Sequence, residues 1–313
     1  MQIHYNLDNF KALNPVVTIG TFDGVHLGHR EVISELKQLC AVSGGESVIF
    51  TFEPHPRIVI SPQEDSLRLL STQSEKIKLM ENIGVDHLVI YPFTKAFSLL
   101  TYDDFVTEIL VNSMHISSLV VGYDHRFGQG RQGDFNSLER LSGSLNFKVE
   151  QLSQLVVDNK VVSSTKIRQS LEKGDVIGAN HFLGYRYGLS GKVVEGKRVG
   201  RTIGFPTANI DTFERHKLIP CDGVYAVFVE TLGKTYKGML NIGMRPTVNS
   251  NADHKTIEVH IFDFDIDIYD LDITVSFVDK IRDEQKFEQI SQLKEQLKLD
   301  QVIALDILSK VNL

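Results

Sequence analysis

The chain contains no tryptophan and only two cysteines among its 313 residues. The two cysteines, Cys40 and Cys221, lie far apart in the sequence. Neither a disulfide framework nor a cysteine-based metal site can therefore be read from their spacing. Two ordinary thiols are typical of a protein from a reducing compartment, and we expect a cytoplasmic location.

The chain also lacks a long apolar run and an excess of positive charge. No stretch approaches the roughly 20 apolar residues of a membrane-spanning helix. The first residues show no basic region followed by an apolar stretch, as a signal peptide would. The formal net charge of −7 argues against nucleic-acid binding, which favours a basic face. We expect neither a membrane nor a nucleic acid as partner, and self-association stays open.

The length allows about two domains, and the first half has the pattern of an α/β domain. Short apolar runs alternate with helical patterns, which predicts a Rossmann-like parallel sheet covered on both faces. We expect a cap for the second predicted helix at Asp103 or Thr101. The predicted strands are 16–19, 47–52, 87–91 and 118–121, and the predicted helices are 31–39 and 103–114.

The second half changes character from Tyr187 onward, where short runs are separated by Gly, Pro, Asn and Asp. This pattern is typical of a β-sandwich or barrel, and the predicted strands include 223–229, 256–262 and 273–278. A closing helix follows, with Asp283 as a candidate cap. Its apolar stripe contains Phe287, Ile290, Leu293 and Leu297. The change of period places the boundary between residues 183 and 184, which gives domains 1–183 and 184–313.

A glycine- and histidine-rich segment lies between the first predicted strand and the first predicted helix. In open α/β sheets such a position, at the carboxyl end of a parallel strand, binds ligands. The helix start offers unpaired N–H groups and the positive end of a dipole, which suit phosphate. Two histidines there could stabilise charge that develops at phosphorus. Loop glycines with surface histidines are the alternative, but the strand–turn–helix context favours a nucleotide site. The segment reads Gly20-Thr21-Phe22-Asp23-Gly24-Val25-His26-Leu27-Gly28-His29.

Three further segments carry polar groups suited to a nucleotide. His55 lies in a loop that Pro54 and Pro56 make rigid. The segment 122–128 contains Asp124, which could accept hydrogen bonds from ribose, and Arg126, which could pair with phosphate. A third segment, Ser163-Ser164-Thr165-Lys166-Ile167-Arg168, has the pattern of a helix N-terminus. Taken singly, each segment also fits a structural turn or a plain helix cap.

Together, in this order, the four segments resemble the adenylyltransferase half of the bacterial bifunctional riboflavin kinase/FAD synthetase family. The resemblance covers most of residues 14–182. It implies direct displacement at the α-phosphorus of ATP by the FMN phosphate, with His26 and His29 serving the transfer. It also implies that His55 contacts the flavin. The implied nucleotide contacts are Gly20, Phe22, Asp23, Gly24, Gly28, Asp124, Arg126, Ser163, Ser164, Thr165 and Arg168.

A second phosphate-binding pattern lies in the second half. The segment 191–201, rich in glycine and cations, precedes Gly204-Phe205-Pro206-Thr207-Ala208-Asn209. Such a loop can accommodate phosphate, although a β-turn with a solvated basic loop is the alternative. Thr207 and Asn209 face the same way if the backbone is extended. Mg²⁺ usually takes one or two protein oxygens plus substrate phosphates. The loop is not a Walker loop, because Ser or Thr does not follow Gly-Lys.

Two charged positions complete this pattern. Glu258 lies mid-strand on the polar face, beside His260, and could act as general base in phosphoryl transfer. Solvent exposure is the alternative for a single strand carboxylate. Arg282 could contact an anion or a ring system where the last strand meets the closing helix, although a plain charged helix start needs no function.

These segments, with 223–225 and 241–247, resemble the riboflavin kinase module over roughly residues 184–300. The resemblance implies a six-stranded Greek-key barrel, with Glu258 as base on the riboflavin 5′-hydroxyl and Thr207 and Asn209 as metal ligands. It implies flavin contacts by Arg282 and Phe287. The implied nucleotide contacts are Gly196, Lys197, Gly200, Arg201, Gly204, Pro206, Thr207 and Asn209. Asp270 replaces the family's usual glycine, and since Asp tolerates left-handed angles we expect only a turn adjustment.

The leading hypothesis is therefore a bifunctional enzyme that uses ATP and Mg²⁺, first to convert riboflavin to FMN and then to convert FMN to FAD. A second hypothesis keeps one activity only, the adenylylation of another phosphate ester such as a phosphopantetheine. A third is a regulator that binds flavin or nucleotide without turnover. A regulator without turnover would be indicated by loss of the candidate catalytic and metal-binding residues. All five are present: His26, His29, Thr207, Asn209 and Glu258.

Overall fold

The computed structural model of the chain describes residues 1–63, 67–123, 125–158, 160–196, 199–245 and 254–311. Two compact units divide the chain, Met1–Ser164 and Thr165–Leu313. The division of the two activities at residues 183 and 184 stays a prediction.

The first unit is built on a parallel sheet. Its strand order is β1-β4-β3-β2-β5-β6, and each neighbouring pair is parallel. Strands β2 and β5 are buried along their full length, as expected of a sheet covered on both faces. The strands are β1 Gln2–His4, β2 Val16–Ile19, β3 Ser47–Glu53, β4 His87–Pro92, β5 Ser118–Val121 and β6 Lys148–Gln151. A separate pair consists of β7 Val156–Val157 and β8 Lys160–Val161.

Side chains that alternate along the strands pack into two hydrophobic cores, one on each face of this sheet. Val17 and Phe50 belong to one cluster, which the segment after β4 covers through Phe105. Val16 and Ile49 belong to the other, which the first helix covers through Ile33. The prediction of a doubly covered parallel sheet is confirmed.

Helices of several kinds connect these strands, and two differ from prediction. The predicted helix 31–39 extends further in both directions. Of the two caps predicted for the helix 103–114, the structure shows Thr101. Most of that second helix is a π-helix. Its wider i→i+5 turns place residues four or five apart, such as Val106 and Leu110, on one buried face. The helices are α1 Leu27–Ser43, α2 Pro56–Ile60, α3 Gln73–Ile83, α4 Tyr102–Asp104, the π-helix Phe105–Ser113 and α5 Phe135–Leu145, with 3₁₀ turns at Phe97–Leu99 and Gln129–Arg131.

The second unit contains a closed antiparallel barrel of six strands within the described residues, in the order β10-β13-β12-β11-β14-β9. Because β13 separates β10 from β12, the barrel is not a simple up-and-down meander. Tyr225, Val259 and Phe277 are completely buried. The strands are β9 Gly188–Val194, β10 Ala208–Asp211, β11 Gly223–Thr231, β12 Lys234–Arg245, β13 His254–Ile261 and β14 Asp272–Arg282. The predicted six-stranded barrel is confirmed.

The closing helix is present, but its start and its buried stripe differ from prediction. Strand β14 runs to Arg282 and the helix begins only at Ile290, so Asp283 is too far away to cap it. Phe287 precedes the helix and Ile290 is 65% exposed. The residues of the helix that cover the barrel are Leu293, Leu297, Ala304, Ile307 and Leu308. The helices that extend into or lie in this unit are α6 Ser164–Glu172, α7 Val176–Leu183, α8 Val199–Thr202 and α9 Ile290–Ser309.

Candidate active sites

The loop between β2 and α1 positions the two predicted catalytic histidines. His26 is the N-cap of α1, and its Nδ1 accepts a hydrogen bond from the His29 backbone N–H at 3.3 Å. The two rings stack with their centroids 3.6 Å apart and 12° between their planes. Because both rings lie in the first turn of α1, they share the positive end of its dipole. The structure therefore brings the histidines together where an anion would bind.

Tight backbone geometry makes this stacking possible. Phe22, Gly24 and Val25 all have positive φ, at 46°, 81° and 39°, so the loop coils sharply before the helix starts. A Cβ on Gly28 would lie 3.2 Å from Cε1 of His26, closer than side chains normally pack. Glycine at this position therefore lets the His26 ring lie against the helix.

A buried polar cluster supports the same loop. Oδ1 of Asp23 accepts backbone N–H bonds from Leu70 at 2.8 Å and Ser71 at 3.2 Å. Nζ of Lys76 donates to the Thr21 carbonyl at 2.8 Å. Asp23, predicted as a nucleotide contact, thus anchors the loop through at least one of its oxygens. Sequence reasoning missed Lys76, which a helical plot of α3 would have flagged because the cation shares the buried face with Met80.

The surroundings of the loop lower the pKa of two of its basic groups. The pKa of His29 lies well below its usual value because the ring is desolvated, and the charges of His26 and Lys76 add to this effect. Burial likewise lowers the pKa of Lys76, although the nearby Asp23 and Glu53 oppose it. Nδ1 of His29 is buried without a hydrogen-bond partner in the part of the chain that the structure describes. A ligand atom can satisfy such a nitrogen.

The other predicted contacts of the first unit follow neighbouring strands. The Oγ of Ser164, the first residue of α6, donates to the Asp23 carbonyl at 3.0 Å and so joins the serine motif to the histidine loop. His55 follows β3 and caps α2 by accepting from the Arg57 N–H. Arg126, after β5, is half exposed and pairs with Asp134 at 3.3 Å. Since β3 and β5 flank β2, these residues share one edge of the sheet. Asp124 lies outside the described residues.

An aromatic cluster also lies at this edge, and sequence reasoning missed it. Phe52 packs edge-on against Phe93 with the ring centroids 5.4 Å apart. Phe97 contacts Phe52 at 5.7 Å and Tyr91 at 5.2 Å. The signal available in the sequence was the recurrence of aromatic residues at the carboxyl ends of β3 and β4. Such a cluster can stack on a planar ring system.

In the barrel, three predicted residues converge. Thr207 Oγ1 donates to Oε2 of Glu258 at 3.3 Å. Asn209 is the direct cross-strand partner of Glu258, so their side chains share one face of the sheet. On the other side, Asn241 of β12 is also paired with Glu258. Thr207 and Asn209 face the same way, as expected, because Thr207 contacts Glu258 and Asn209 is the cross-strand partner of Glu258.

The turn that carries Thr207 is fixed by a histidine. Nδ1 of His260 donates to the Pro206 carbonyl at 2.7 Å, and its ring lies edge-on to Phe205. The pKa of His260 is lowered because burial outweighs the effect of this hydrogen bond. Gly204 has a φ of 88°, which favours glycine.

The predicted phosphate loop is only partly described. Gly196 and Gly200 leave no room for a Cβ, because it would overlap the Asn209 amide and the Phe205 carbonyl, respectively. Arg201 is exposed on α8. Lys197 lies outside the described residues. The two glycines therefore let the loop pack against the turn that bears Thr207 and Asn209.

Arg282 and Phe287, the predicted flavin contacts, lie at the end of β14. The Arg282 guanidinium donates from Nε and NH2 to the carboxylate of Asp300, which is completely buried in α9. Its NH1 donates to the Asp283 carbonyl, and the Phe287 ring lies 5.9 Å away. The structure thus gives Arg282 a definite structural task, and its predicted contact with flavin stays a prediction.

The substituted turn position behaves as expected from residue chemistry. Asp270 has a φ of 60° and donates its backbone N–H to the Val193 carbonyl at 2.9 Å. A left-handed conformation is uncommon for residues other than glycine, but Asp adopts it more readily than most. Asp270 therefore occupies a left-handed turn position of the kind that favours glycine.

Two features are absent from the described residues. No group of three or more His, Cys, Asp and Glu side chains has the geometry of a metal site there. No described helix combines the length and the apolar character required to traverse a bilayer.

The nucleotide-type loop lies at the edge of a parallel sheet, and the oxygen-rich cluster lies on a closed barrel. Comparison with known proteins makes this specific. The FAD synthetase family model matches residues 10–166, and the riboflavin kinase family model matches residues 183–308.

Relatives match over nearly the whole chain. The bifunctional riboflavin kinase/FMN adenylyltransferase of Escherichia coli strain K12 is 36% identical over 301 residues, 96% of this chain and 95% of that one. The protein of the same name from Haemophilus influenzae is 38% identical and covers 91% of each chain. The chain belongs to the bifunctional riboflavin kinase/FMN adenylyltransferase family. The predicted family is confirmed, as is the prediction of an enzyme.

A solved structure agrees over the same length. It is described as a macrolide-efflux protein from Streptococcus pneumoniae, has 31% sequence identity and a TM-score of 0.88, and covers 96% of this chain and 97% of that one. Both units of the fold therefore recur together in one solved chain.

Proposed function

We propose that this chain carries out two consecutive ATP-dependent steps of flavin cofactor synthesis. In the barrel, the γ-phosphoryl group of ATP moves to the 5′-hydroxyl of riboflavin, which yields FMN, ADP and a proton. In the first unit, the FMN phosphate displaces pyrophosphate from a second ATP, which yields FAD. The observation that carries the proposal is the convergence of Thr207 and Asn209 on Glu258, because a kinase needs a base beside its phosphate ligands.

In the kinase step, Glu258 accepts the proton of the riboflavin 5′-hydroxyl as that oxygen attacks phosphorus. The hydrogen bond from Thr207 holds the carboxylate, and His260 fixes the turn on which Thr207 lies. The oxygens of Thr207 and Asn209 fit a hard cation that takes few protein ligands, and they would hold Mg²⁺. When bound, Mg²⁺ neutralises charge on the ATP phosphates.

In the adenylyl transfer step, the start of α1 and the two histidines receive the ATP phosphates. A ring N–H of His29 donates to an oxygen whose charge grows in the transition state, and a neutral imidazole suffices for this role. Lys76 and Asp23 hold the loop backbone in place from beneath. No residue forms a covalent intermediate, because the FMN phosphate is itself the nucleophile.

The flavin ring has a candidate position in each unit. In the first unit, the aromatic cluster of Phe52, Tyr91, Phe93 and Phe97 lies at the same sheet edge as His55 and can stack on an isoalloxazine ring. In the barrel, Phe287 is the ring beside Arg282. A cytoplasmic location is part of the proposal, supported by the two free cysteines and the use of ATP.

The test is a chromatographic time course of riboflavin, FMN and FAD in the presence of ATP and Mg²⁺. The full-length chain should form FMN first and FAD second. Glu258→Gln should lose riboflavin phosphorylation by about 10²–10⁴-fold yet still convert added FMN to FAD. His29→Ala should show the reverse pattern.

Each variant thus serves as the folding control of the other. If the full-length chain forms FMN but no FAD, the first unit must adenylylate a phosphate ester other than FMN. If folded protein binds ATP but forms neither FMN nor FAD, the chain is a binding protein and not an enzyme. If Glu258→Gln phosphorylates riboflavin at the wild-type rate, Glu258 is not the general base.

A further inference from the structure

Cys221 and Lys280 lie in contact at the edge of a cavity that the proposed reactions do not use. Nζ of Lys280 donates to Sγ of Cys221 at 3.1 Å. Both residues line a cavity of about 680 Å³ in the second unit, so small solutes can reach the sulfur. The cavity is also lined by Glu172, Lys173, Asp222, Lys255, Asp283 and Glu284.

Two glycines make room for this pair. A Cβ on Gly174 would lie 2.8 Å from Sγ of Cys221 and 2.7 Å from Cδ of Lys280. A Cβ on Gly223 would lie 2.5 Å from Cε of Lys280. Since real Cβ atoms do not approach so closely, any larger residue at either position would displace the lysine side chain. The sulfur–nitrogen contact therefore depends on side-chain positions that the surrounding backbone permits only with glycine.

Further contacts fix the orientation of both groups. Asp283 accepts from Nζ of Lys280 at 2.6 Å and so holds the ammonium beside the sulfur. The hydroxyl of Tyr225 donates to the Cys221 carbonyl at 2.6 Å and lies 3.3 Å from Sγ. Tyr225 is the cross-strand partner of Lys280 in the barrel. Tyr225 therefore links Cys221 to Lys280, in addition to the direct contact between these two residues.

We propose that Cys221 and Lys280 form a peroxide-responsive modification site, at which oxidation joins the two side chains through a sulfur–nitrogen bond. The thiolate is the reactive form of cysteine, and Nζ of Lys280 lies 3.1 Å from the sulfur that it would join. The partner is a small hydroperoxide, with hydrogen peroxide as the simplest case. Cys40 provides an internal contrast, because it is buried and burial raises its pKa to about 11.

The chemistry balances in two steps. The Cys221 thiolate attacks one peroxide oxygen, so that an S–O bond forms, the O–O bond breaks and sulfur loses two electrons to the peroxide. The departing hydroxide takes a proton from the Lys280 ammonium, which leaves a sulfenic acid, a neutral amine and water. The amine then attacks sulfur and expels the sulfenic oxygen as a second water, as sulfenic acids do with nitrogen nucleophiles. A thiol reductant reverses the bond and restores both side chains.

The test treats the reduced full-length chain with hydrogen peroxide and follows its intact mass. The expected product has lost two hydrogen atoms, contains one peptide that joins Cys221 to Lys280, and returns to the starting mass with dithiothreitol. Cys221→Ser should abolish this product, whereas Cys40→Ser should leave it unchanged. Lys280→Arg retains the cation but lacks the amine, so it should accumulate a sulfenic acid that a cyclic diketone traps.

Several outcomes would overturn the proposal. One is a wild-type chain in which Cys221 proceeds to sulfinic acid or carries the diketone label with no joined peptide. Another is equal formation of the two-hydrogen-loss product by Lys280→Arg. Faster oxidation of Cys40 than of Cys221 would also contradict it. If Lys280→Arg fails to fold, peptide mapping of the wild-type product decides the matter, because it identifies the joined residues directly.

Discussion

The imidazole rings of His26 and His29 stack face to face, with their centroids 3.6 Å apart, at the first turn of α1. Two protonated imidazoles could not stay so close without strong repulsion. The stacking therefore agrees with the lowered pKa of His29. The pair offers hydrogen-bond donors at a helix N-terminus, an arrangement suited to a triphosphate.

Gly28→Ala should damage adenylyl transfer selectively. The new Cβ would lie 3.2 Å from the His26 ring, which cannot move away without disturbing its stacking on His29. We expect FMN-to-FAD conversion to fall by about 10²-fold, the scale of a small misplacement at a reacting centre. Riboflavin phosphorylation by the same protein is the control. Equal loss of both activities would indicate general misfolding instead.

Acidification should destabilise the first unit through His29. Its pKa is lowered in the folded protein, so below the unfolded value of about 6.5 the unfolded chain binds a proton that the folded chain does not. Stability is then complete above that pH and falls as the pH decreases through it. The measurement is the urea midpoint at pH about 7 and about 5 for wild type and His29→Gln. His29→Gln should lose less stability than wild type between these two pH values. Equal losses would contradict the role of His29 in the pH dependence.

Thr207→Val should impair riboflavin phosphorylation, because valine keeps the shape but removes the oxygen that contacts Glu258. We expect a drop in kcat of about 10²-fold, comparable to the loss of one stabilising donor. Thr207→Ser keeps that oxygen and should retain most of the rate. A steady-state assay of both variants checks this, and full activity in Thr207→Val would exclude a role for the hydroxyl.

Asp300→Ala should strongly destabilise the barrel. It removes the buried partner of Arg282 and leaves a guanidinium that is only 20% exposed without its carboxylate. Breaking such a pair costs about 3–5 kcal/mol. Asp306→Ala is the matched control on the same helix, since its ion pair with Lys310 is exposed and worth about 0–1 kcal/mol. Denaturant unfolding of both variants compares the two costs.

The turn at Asp270 gives a test of backbone strain. With a φ of 60°, the site should accept Asp270→Gly with little change in stability. Asp270→Val should be destabilised, because a left-handed conformation costs most residues about 1–2 kcal/mol and a β-branched one more. Thermal unfolding of the two variants, with riboflavin kinase rates beside it, measures the difference. A stable valine variant would show that the turn rearranges.

Local pattern in the sequence determined a large part of this protein. The buried strands Val16–Ile19 and Ser118–Val121 were predictable because parallel strands covered on both faces are continuously apolar. The alternation of apolar and polar residues around Glu258 located a barrel strand, because successive side chains of a strand point to opposite faces of the sheet. The phosphate motifs could be read because their glycines, histidines and oxygens lie close together along the chain.

Only the tertiary structure decided which residues that lie far apart in the sequence come into contact. Lys76 reaches Thr21 across 55 positions of the chain, and Lys280 reaches Cys221 across 59. Strand β14 ends at Arg282, α9 begins only at Ile290, and Arg282 pairs with Asp300 of that helix. Sequence periodicity can show that a side chain such as Lys76 is buried, but it does not show which distant residue that side chain contacts, because the contact depends on which faces meet after the chain has folded. The sequence by itself thus determined the family and the fold of each half, and the packing decided how the side chains are held.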